Sequence, residues 1–242
     1  MKKVTSKPLN IALTVLFIIA LALFILTFSI GLPIYCRFFY YIQIKTLKME
    51  EATGWSYDTI KTAYDEVLNY LTLPGHAFGT GELLWTESEA AHFADCKVLF
   101  NLNLSVLIIS GAVTLTLILL NRFKVIELAR IRGHRAYLVS AAVAIALPVI
   151  IGSLAAIDFE RAFEIFHGIF FPGKTNWTFD PRTEQIIEVM PEEFFMNCAI
   201  IIGVGLIAFS LALIIADVVL TAKDKKREKA EKDANGNTCG GG

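Results

Sequence analysis

Two histidines of this chain sit in settings that suit proton transfer. His92 lies in Glu-Ala-Ala-His-Phe-Ala-Asp (residues 89–95) and His167 in Phe-Glu-Ile-Phe-His-Gly-Ile-Phe-Phe-Pro (residues 163–172). Imidazole is the side chain whose unperturbed pKa lets it both take and give a proton near neutrality. Both histidines fall just outside long apolar runs, so the chemistry they suggest is acid–base work on something lipidic at a membrane surface. Glu89, His92 and Asp95 recur at i, i+3 and i+6, one stripe of a helix. Either carboxylate could orient the ring and favour its charged form. The same spacing also suits a solvated acidic first turn that complements the helix macrodipole, with an incidental histidine. Around His167, Phe163, Phe166, Phe170 and Trp177 could wall a pocket or pin the segment to lipid.

The other two histidines carry less. His76 follows Pro74-Gly75 and reads as a loop residue, and His134 sits among Arg132, Gly133 and Arg135 on a charged face. The four cysteines lack metal-site spacing such as C-x-x-C, and there is no H-E-x-x-H pair, so a metal-dependent hydrolase is disfavoured. Cys36, Cys96 and Cys198 fall near one membrane surface where oxidation is possible, but a protein held by spanning helices needs no such staple.

These residues must be positioned by membrane-spanning elements. The chain has 242 residues, 55% of them apolar, formal net charge −1 and mean hydropathy +0.57, too apolar for an ordinary soluble domain. Four apolar blocks, about Leu9–Tyr35, Leu99–Leu120, Tyr137–Ile157 and Phe195–Ala222, each reach the length needed to cross the hydrocarbon core as a helix. The expected fold is an α-helical membrane protein: four transmembrane helices with a small extracytoplasmic cap built from the loops after spans one and three. Its divisions are a cytoplasmic stub and span one (1–35), an outer segment (36–98), span two (99–121), an inner loop (122–136), span three (137–157), a second outer segment (158–194), span four (195–222) and a basic tail expected to be disordered (223–242). The first span starts like a secretory signal, but its apolar run is too long and no small-residue cleavage site follows, so it reads as an uncleaved anchor.

Basic residues set the orientation. Lys2, Lys3 and Lys7, then Arg122, Lys124, Arg130, Arg132 and Arg135, then Lys223, Lys225, Lys226, Arg227, Lys229 and Lys232 mark three segments for the cytoplasmic side. Both termini are therefore expected inside. Asp217, near the inner end of span four, is expected to snorkel or pair with a neighbouring basic group.

The first outer segment opens with Arg37, Phe38, Phe39, Tyr40 and Tyr41, whose plainest reading is an interfacial aromatic belt. Residues 56–71 carry Ile60, Ala63, Tyr64, Val67, Leu68 and Leu71 at helical spacing, one buried stripe. The Gly- and Pro-rich stretch 72–84 reads as a loop. Thr86-Glu-Ser-Glu89 has the form of a capping box that restarts a helix running into span two. In the second outer segment, residues 161–171 read as a short amphipathic helix, Asp180-Pro181 as a turn, and Pro191 as the first turn leading into span four.

Several of these blocks together resemble the bacterial lipoprotein intramolecular transacylases, an integral membrane family. The likeness rests on Arg37, Tyr40 and Tyr41 after span one, on Tyr70-Leu71, and on Leu-Trp-Thr-Glu-Ser-Glu-Ala-Ala-His-Phe-Ala-Asp-Cys-Lys (84–97). It rests most on Phe-His-x-x-Phe-Phe (166–171), Trp-x-Phe-Asp-Pro (177–181) and Met-Pro-Glu-Glu-Phe-Phe (190–195). Phe38 and Phe93 depart from the family pattern, which often has proline and methionine there; both exchanges leave the polar groups intact.

The resemblance covers the chain to about Thr221 and implies a cofactor-independent acyltransferase. It would move the sn-2 acyl chain of an S-diacylglyceryl-cysteine lipoprotein to that cysteine's own amine. The resemblance implies that His92 and His167 are essential; Glu89, Asp95, Arg37, Tyr40 and Tyr41 are expected to support them, and Trp85, Phe93, Phe166, Phe170, Phe171, Trp177 and Phe179 to line the pocket. The expected partners are the modified lipoprotein N-terminus and membrane lipids, with no nucleic acid and no metal, at the outer leaflet of a bacterial plasma membrane. The alternative is a non-enzymatic membrane protein whose aromatic cap binds a partner or lipid.

Overall fold

The computed structural model describes residues 6–238, excepting the side chains at 147, 150, 151, 154–156, 228 and 231–238. Its elements are α1 (Lys7–Tyr35), α2 (Arg37–Thr46), α3 (Met49–Thr53), α4 (Tyr57–Thr72), α5 (Glu87–Arg122), α6 (Ala136–Ile157), α7 (Phe159–Phe170), α8 (Ile186–Val189) and α9 (Glu192–Thr238). Among the described residues α1, α5 and α9 are long and apolar enough to cross a membrane. At 22 residues α6 would extend about 33 Å, enough to make the fourth crossing. Ile108, Ile109 and Leu115 on α5 and Val204, Ile215 and Val218 on α9 are exposed, as lipid-facing residues must be in a membrane protein. The last helix does not stop at the expected boundary of Ala222 but continues to Thr238, so the tail is helical that far. Cys239 lies outside the described residues.

The chain divides into two compact units. One comprises residues 1–26, 108–146 and 206–242. Its polar centre is Asp217, fully buried on α9, which accepts hydrogen bonds from His134 Nδ1 and the Arg135 backbone N–H, each at 2.8 Å. A carboxylate inside a membrane helix is tolerated when it is paired in this way, and the pairing expected of Asp217 is present. Asp224 takes Arg130 and Arg135 together, and Thr14 Oγ1 accepts the Ala129 N–H at 2.8 Å. The basic loop after α5 is thereby held to both α1 and α9.

The other unit comprises residues 27–107 and 147–205 and holds both candidate histidines. Its core is built on α4, where Ser56 caps the first turn by accepting from Thr59 N–H at 3.1 Å. The six apolar residues of the expected stripe are the six that α4 buries. Against them lies Tyr40 of α2, fully buried, stacked on Tyr64 with ring centroids 3.5 Å apart and donating its hydroxyl to the Val189 carbonyl at 2.6 Å. Burial of that ring, with the Tyr64 and Asp65 charges beside it, holds the Tyr40 hydroxyl well above its ordinary pKa, so it stays a donor. Two short helices, α3 and α8, complete this core with Met49, Ile186 and Val189. Neither was expected, because four or five residues are too few to show a period.

Candidate active site

The first histidine is presented by the opening turns of α5. Thr86 Oγ1 accepts the Glu89 N–H at 3.2 Å, which is the forward half of a capping box. The return half is missing: Thr86 gives its own proton to Glu184 Oε1 at 2.6 Å, and the Glu89 carboxyl turns inward, fully buried, with neither oxygen hydrogen-bonded among the described residues. Burial first and the nearby Glu184 charge second push its pKa up to about 8. One turn later comes His92, buried at 6% exposure.

The second histidine comes from α7, which starts cleanly because Asp158 caps it by accepting from Arg161 N–H at 2.9 Å. His167 is the residue α7 buries, while Ile165, Phe166, Ile169 and Phe170 on its other faces are exposed. The two imidazoles meet with ring centroids 5.7 Å apart and planes inclined by 30°. Phe171 touches both rings, at 5.0 Å from His92 and 5.6 Å from His167. Phe179 packs edge-on against His92 at 5.6 Å, and Trp177 stacks on His167 at 4.6 Å. Phe163 completes the His167 slot at 4.2 Å.

Each ring has one nitrogen engaged by a protein group and one that no described protein group engages. His167 Nδ1 lies 2.7 Å from the Phe163 carbonyl, which can only accept, so Nδ1 carries the proton and the neutral ring keeps a lone pair on Nε2. Burial lowers the His167 pKa despite that hydrogen bond. On His92 the engaged nitrogen is Nε2, 3.4 Å from Cys96 Sγ, while Nδ1 is buried with no partner among the described residues. Burial, with the His167 charge second, brings the His92 pKa down to about 4, so it too is neutral.

Residues 15–195 match the family described as "Lipoprotein intramolecular transacylase Lit". The chain belongs to this family. It is therefore an acyltransferase, which rules out the non-enzymatic binding cap. The fold is similar to that of the membrane-integral lipoprotein intramolecular transacylase from Bacillus cereus, with 24% sequence identity and a TM-score of 0.81 over 92% of this chain and 100% of that one. Two further structures of the Bacillus cereus protein, with one histidine replaced by arginine or by alanine, match at TM-score 0.75 with 23% and 24% identity; each covers 89% of this chain, and 93% and 94% of theirs. No curated protein sequence matches.

The expected site residues of this transacylase fall in two places. Beside the histidines are Phe93, Phe166, Phe171, Trp177 and Phe179, each in ring contact with one or both. Trp85 and Phe170 sit further out, on Phe78 and Phe166 respectively. Asp95 does not orient His92: it is drawn off into an ion pair with Lys174. Nor does Glu89 hydrogen-bond to the ring. Arg37 and Tyr41 converge instead on Asp65, at 3.0 and 2.8 Å, with Arg37 also reaching Asn69 at 2.5 Å and Lys61 pairing with the same carboxylate at 2.7 Å. Together with Tyr40 they brace α2 on α4.

Phe78 was not foreseen. It stacks on Phe93 at 5.2 Å and is held by a loop whose Gly81 N–H donates to Glu66 Oε2 at 2.7 Å. The same oxygen lies 2.7 Å from where a Cβ on Gly79 would stand, so any larger residue there would push the Glu66 carboxylate aside. The two outer loops are tied by a reciprocal pair: Leu84 N–H to Gln185 Oε1 at 2.8 Å, and Gln185 N–H to the Leu84 carbonyl at 3.0 Å.

The remaining unexpected contact is Cys96. Burial, aided by the Asp95 charge, pushes its thiol up to about 12, so sulfur keeps its proton at any working pH. With its proton kept, the thiol can donate to a bare His92 Nε2, and in that tautomer the ring proton stands on Nδ1. Cys96→Ser, with a hydroxyl donor at the same place, is expected to keep near wild-type turnover. Cys96→Ala should lose roughly five- to tenfold in kcat with little change in melting temperature, the scale of one neutral hydrogen bond.

Proposed function

We propose that this transacylase moves the sn-2 acyl chain of an S-diacylglyceryl-cysteine at a lipoprotein N-terminus to the α-amino group of the same cysteine, leaving the N-acyl lyso form. The observation that carries this reading is the facing imidazole pair, buried among aromatic rings, with His167 Nδ1 tied to the Phe163 carbonyl and His92 Nδ1 left without a partner among the described residues.

Ester-to-amide transfer is downhill and calls for no energy source. Its difficulty is entropic and protonic. The cyclic path from amine through Cα, Cβ, sulfur and glyceryl to the ester carbonyl has roughly eight members, so several rotors must be frozen together, and holding amine and ester in attack geometry recovers part of that cost. The amine, with a pKa near ~8, must be neutral to attack and must then shed a second proton. The carbonyl oxygen gathers charge as it is attacked, and the departing glyceryl oxygen must be protonated.

His167 Nε2, bare in the resting ring, takes the amine proton and then passes it to the glyceryl oxygen. His92 Nδ1–H donates to the carbonyl oxygen as it becomes negative. Sequence alone leaves the two roles interchangeable: His92, flanked by carboxylates, could be the base and His167 the donor, or the reverse. What supports His167 as the base is the Phe163 carbonyl, which leaves His167 unable to donate until it has been protonated.

The basic segments at the N-terminus, after α5 and in the tail of α9 would lie in the cytoplasm, with the histidines at the outer leaflet of a bacterial plasma membrane. A synthetic S-diacylglyceryl-cysteinyl peptide with different sn-1 and sn-2 chains, incubated with the protein in lipid, tests the reaction. Mass spectrometry should find the sn-2 chain on nitrogen and none of the sn-1 chain there. N-acylation by the sn-1 chain, or by a chain from a second labelled peptide, would overturn it.

A further inference from the structure

Glu89 has no role in the steps above, yet its environment calls for one. Its carboxyl is fully buried, one helical turn before His92, and both oxygens are without a hydrogen-bond partner among the described residues. A buried carboxyl with neither oxygen satisfied is costly, and the fold offers it no relief. The charge that acts on it is that of another acid, Glu184, whose own oxygens are occupied by the Thr86 hydroxyl at 2.6 Å and the Asp180 N–H at 2.9 Å. The other titratable groups on this side are His92, one turn along the helix, and His167 facing it. The Lys174 cation is tied to Asp95. No basic side chain neutralises Glu89 among the described residues.

The unpartnered groups of the site thus form two sets. Glu89 holds two enclosed, unpartnered oxygens and His92 one enclosed, unpartnered ring nitrogen, which a substrate reaches by entering the aromatic packing around them. The reacting end of the substrate has an ammonium and an ester carbonyl. We infer that Glu89 is the receptor for the α-ammonium group of the lipoprotein cysteine, binding it as an ion pair and taking its first proton to release the neutral amine. This rests on the proposal that the α-amine is the acyl acceptor.

The proton count closes. Carboxylate and ammonium become carboxylic acid and amine; the amine attacks the ester carbon; His167 moves the second proton from nitrogen to the glyceryl oxygen. Amide and alcohol leave, and Glu89 releases its proton to solvent before the next turnover. Burial raises the Glu89 carboxyl from the usual carboxylate range to about 8, toward the range of the amine, so the buried carboxylate is a strong enough base to take the first proton.

The pair gives this step a distinctive pH signature. Free enzyme must carry the carboxylate, favoured as pH rises through about 8, and free substrate must carry the ammonium, favoured as pH falls through ~8. Wild-type kcat/KM on a free-amine S-diacylglyceryl-cysteinyl peptide should therefore peak near pH 8 and fall on both sides. Glu89→Gln keeps the shape but cannot form the ion pair, so it can use only the neutral amine. Its kcat/KM should drop at least tenfold at pH 7 and rise with pH to a plateau, with no alkaline fall. Glu89→Asp retains the charge one methylene shorter and should keep the alkaline fall at reduced rate, which separates lost charge from a damaged fold. The N-acetylated peptide should compete at least tenfold more weakly than the free-amine peptide for wild type, but equally for Glu89→Gln. A Glu89→Gln profile of wild-type shape, with kcat/KM within twofold, would overturn the inference. Wild type yielding no N-acyl lyso peptide would instead overturn the reaction on which it rests.

Discussion

His167→Ala is expected to lower the rate of N-acyl lyso peptide formation by ~10²–10⁴-fold, the range for a lost general base, with a fold that remains intact. His167 is held by more than its own chemistry: Phe163 and Trp177 cover its ring, Phe171 packs beside it, and the Phe163 carbonyl fixes its proton. Truncation to alanine removes the ring but leaves those aromatic neighbours as a slot of imidazole size. Added imidazole should therefore restore part of the activity of His167→Ala, and substituted imidazoles of different basicity should restore it in order of their pKa, because the missing function is proton transfer. Recovery that follows the size of the additive and not its basicity would mean that the ring only fills space. His167→Gln provides the contrast. Its amide fills part of the slot but cannot take a proton, so it should be nearly as inactive as alanine.

The sequence carries the fold more fully than the site, for a physical reason. Local periodicity is printed in the chain: the stripe Ile60, Ala63, Tyr64, Val67, Leu68 and Leu71 is recognisable because a helix must bury one face, and α4 buries those six. Lengths of apolar runs likewise announce helices that cross a membrane, and Asp217 announces a partner because an unpaired carboxylate there would be too costly. The pairing of acids and bases is not local. Asp95 sits on the same stripe as His92, yet Lys174 from the far outer segment claims it. Thr86 and Glu89 have the sequence of a capping box, yet Glu184 claims the hydroxyl and the carboxyl is turned inward. Arg37 and Tyr41 reach Asp65 and not the histidines.

The convergence of the two rings belongs to the same class. Nothing in the spacing of His92 and His167 fixes their separation, which is set by Leu84 and Gln185 clasping the two outer loops and by Phe171 wedged against both imidazoles. The signal that could have found Phe78 is the Gly79-Thr-Gly81 stretch behind it, since closely spaced glycines mark a backbone that must pass near something. Here that is the Glu66 carboxylate.

His92 is where the two possible divisions of labour give different numbers. As the hydrogen-bond donor to the carbonyl oxygen, it should be replaceable in kind: His92→Ala is expected to lose ~10²–10³-fold in kcat, the cost of removing one oxyanion donor. His92→Gln, whose amide N–H₂ can still donate, should recover at least tenfold of that loss. Were His92 the base, glutamine would be as inactive as alanine, since neither takes a proton. The pH dependence of stability gives a second, independent check. With its folded pKa brought down to about 4 from an ordinary value near ~6.5, neutral His92 favours the folded state above pH ~6.5, and this contribution is lost as pH falls from there toward 4, where the unfolded chain binds a proton that the folded chain refuses. Thermal melts of wild type in detergent should therefore fall more steeply between pH 6.5 and 4 than those of His92→Gln, which has nothing to titrate. Equal slopes would mean that the ring titrates alike in the folded and unfolded chains, so that burial beside His167 does not hold it neutral.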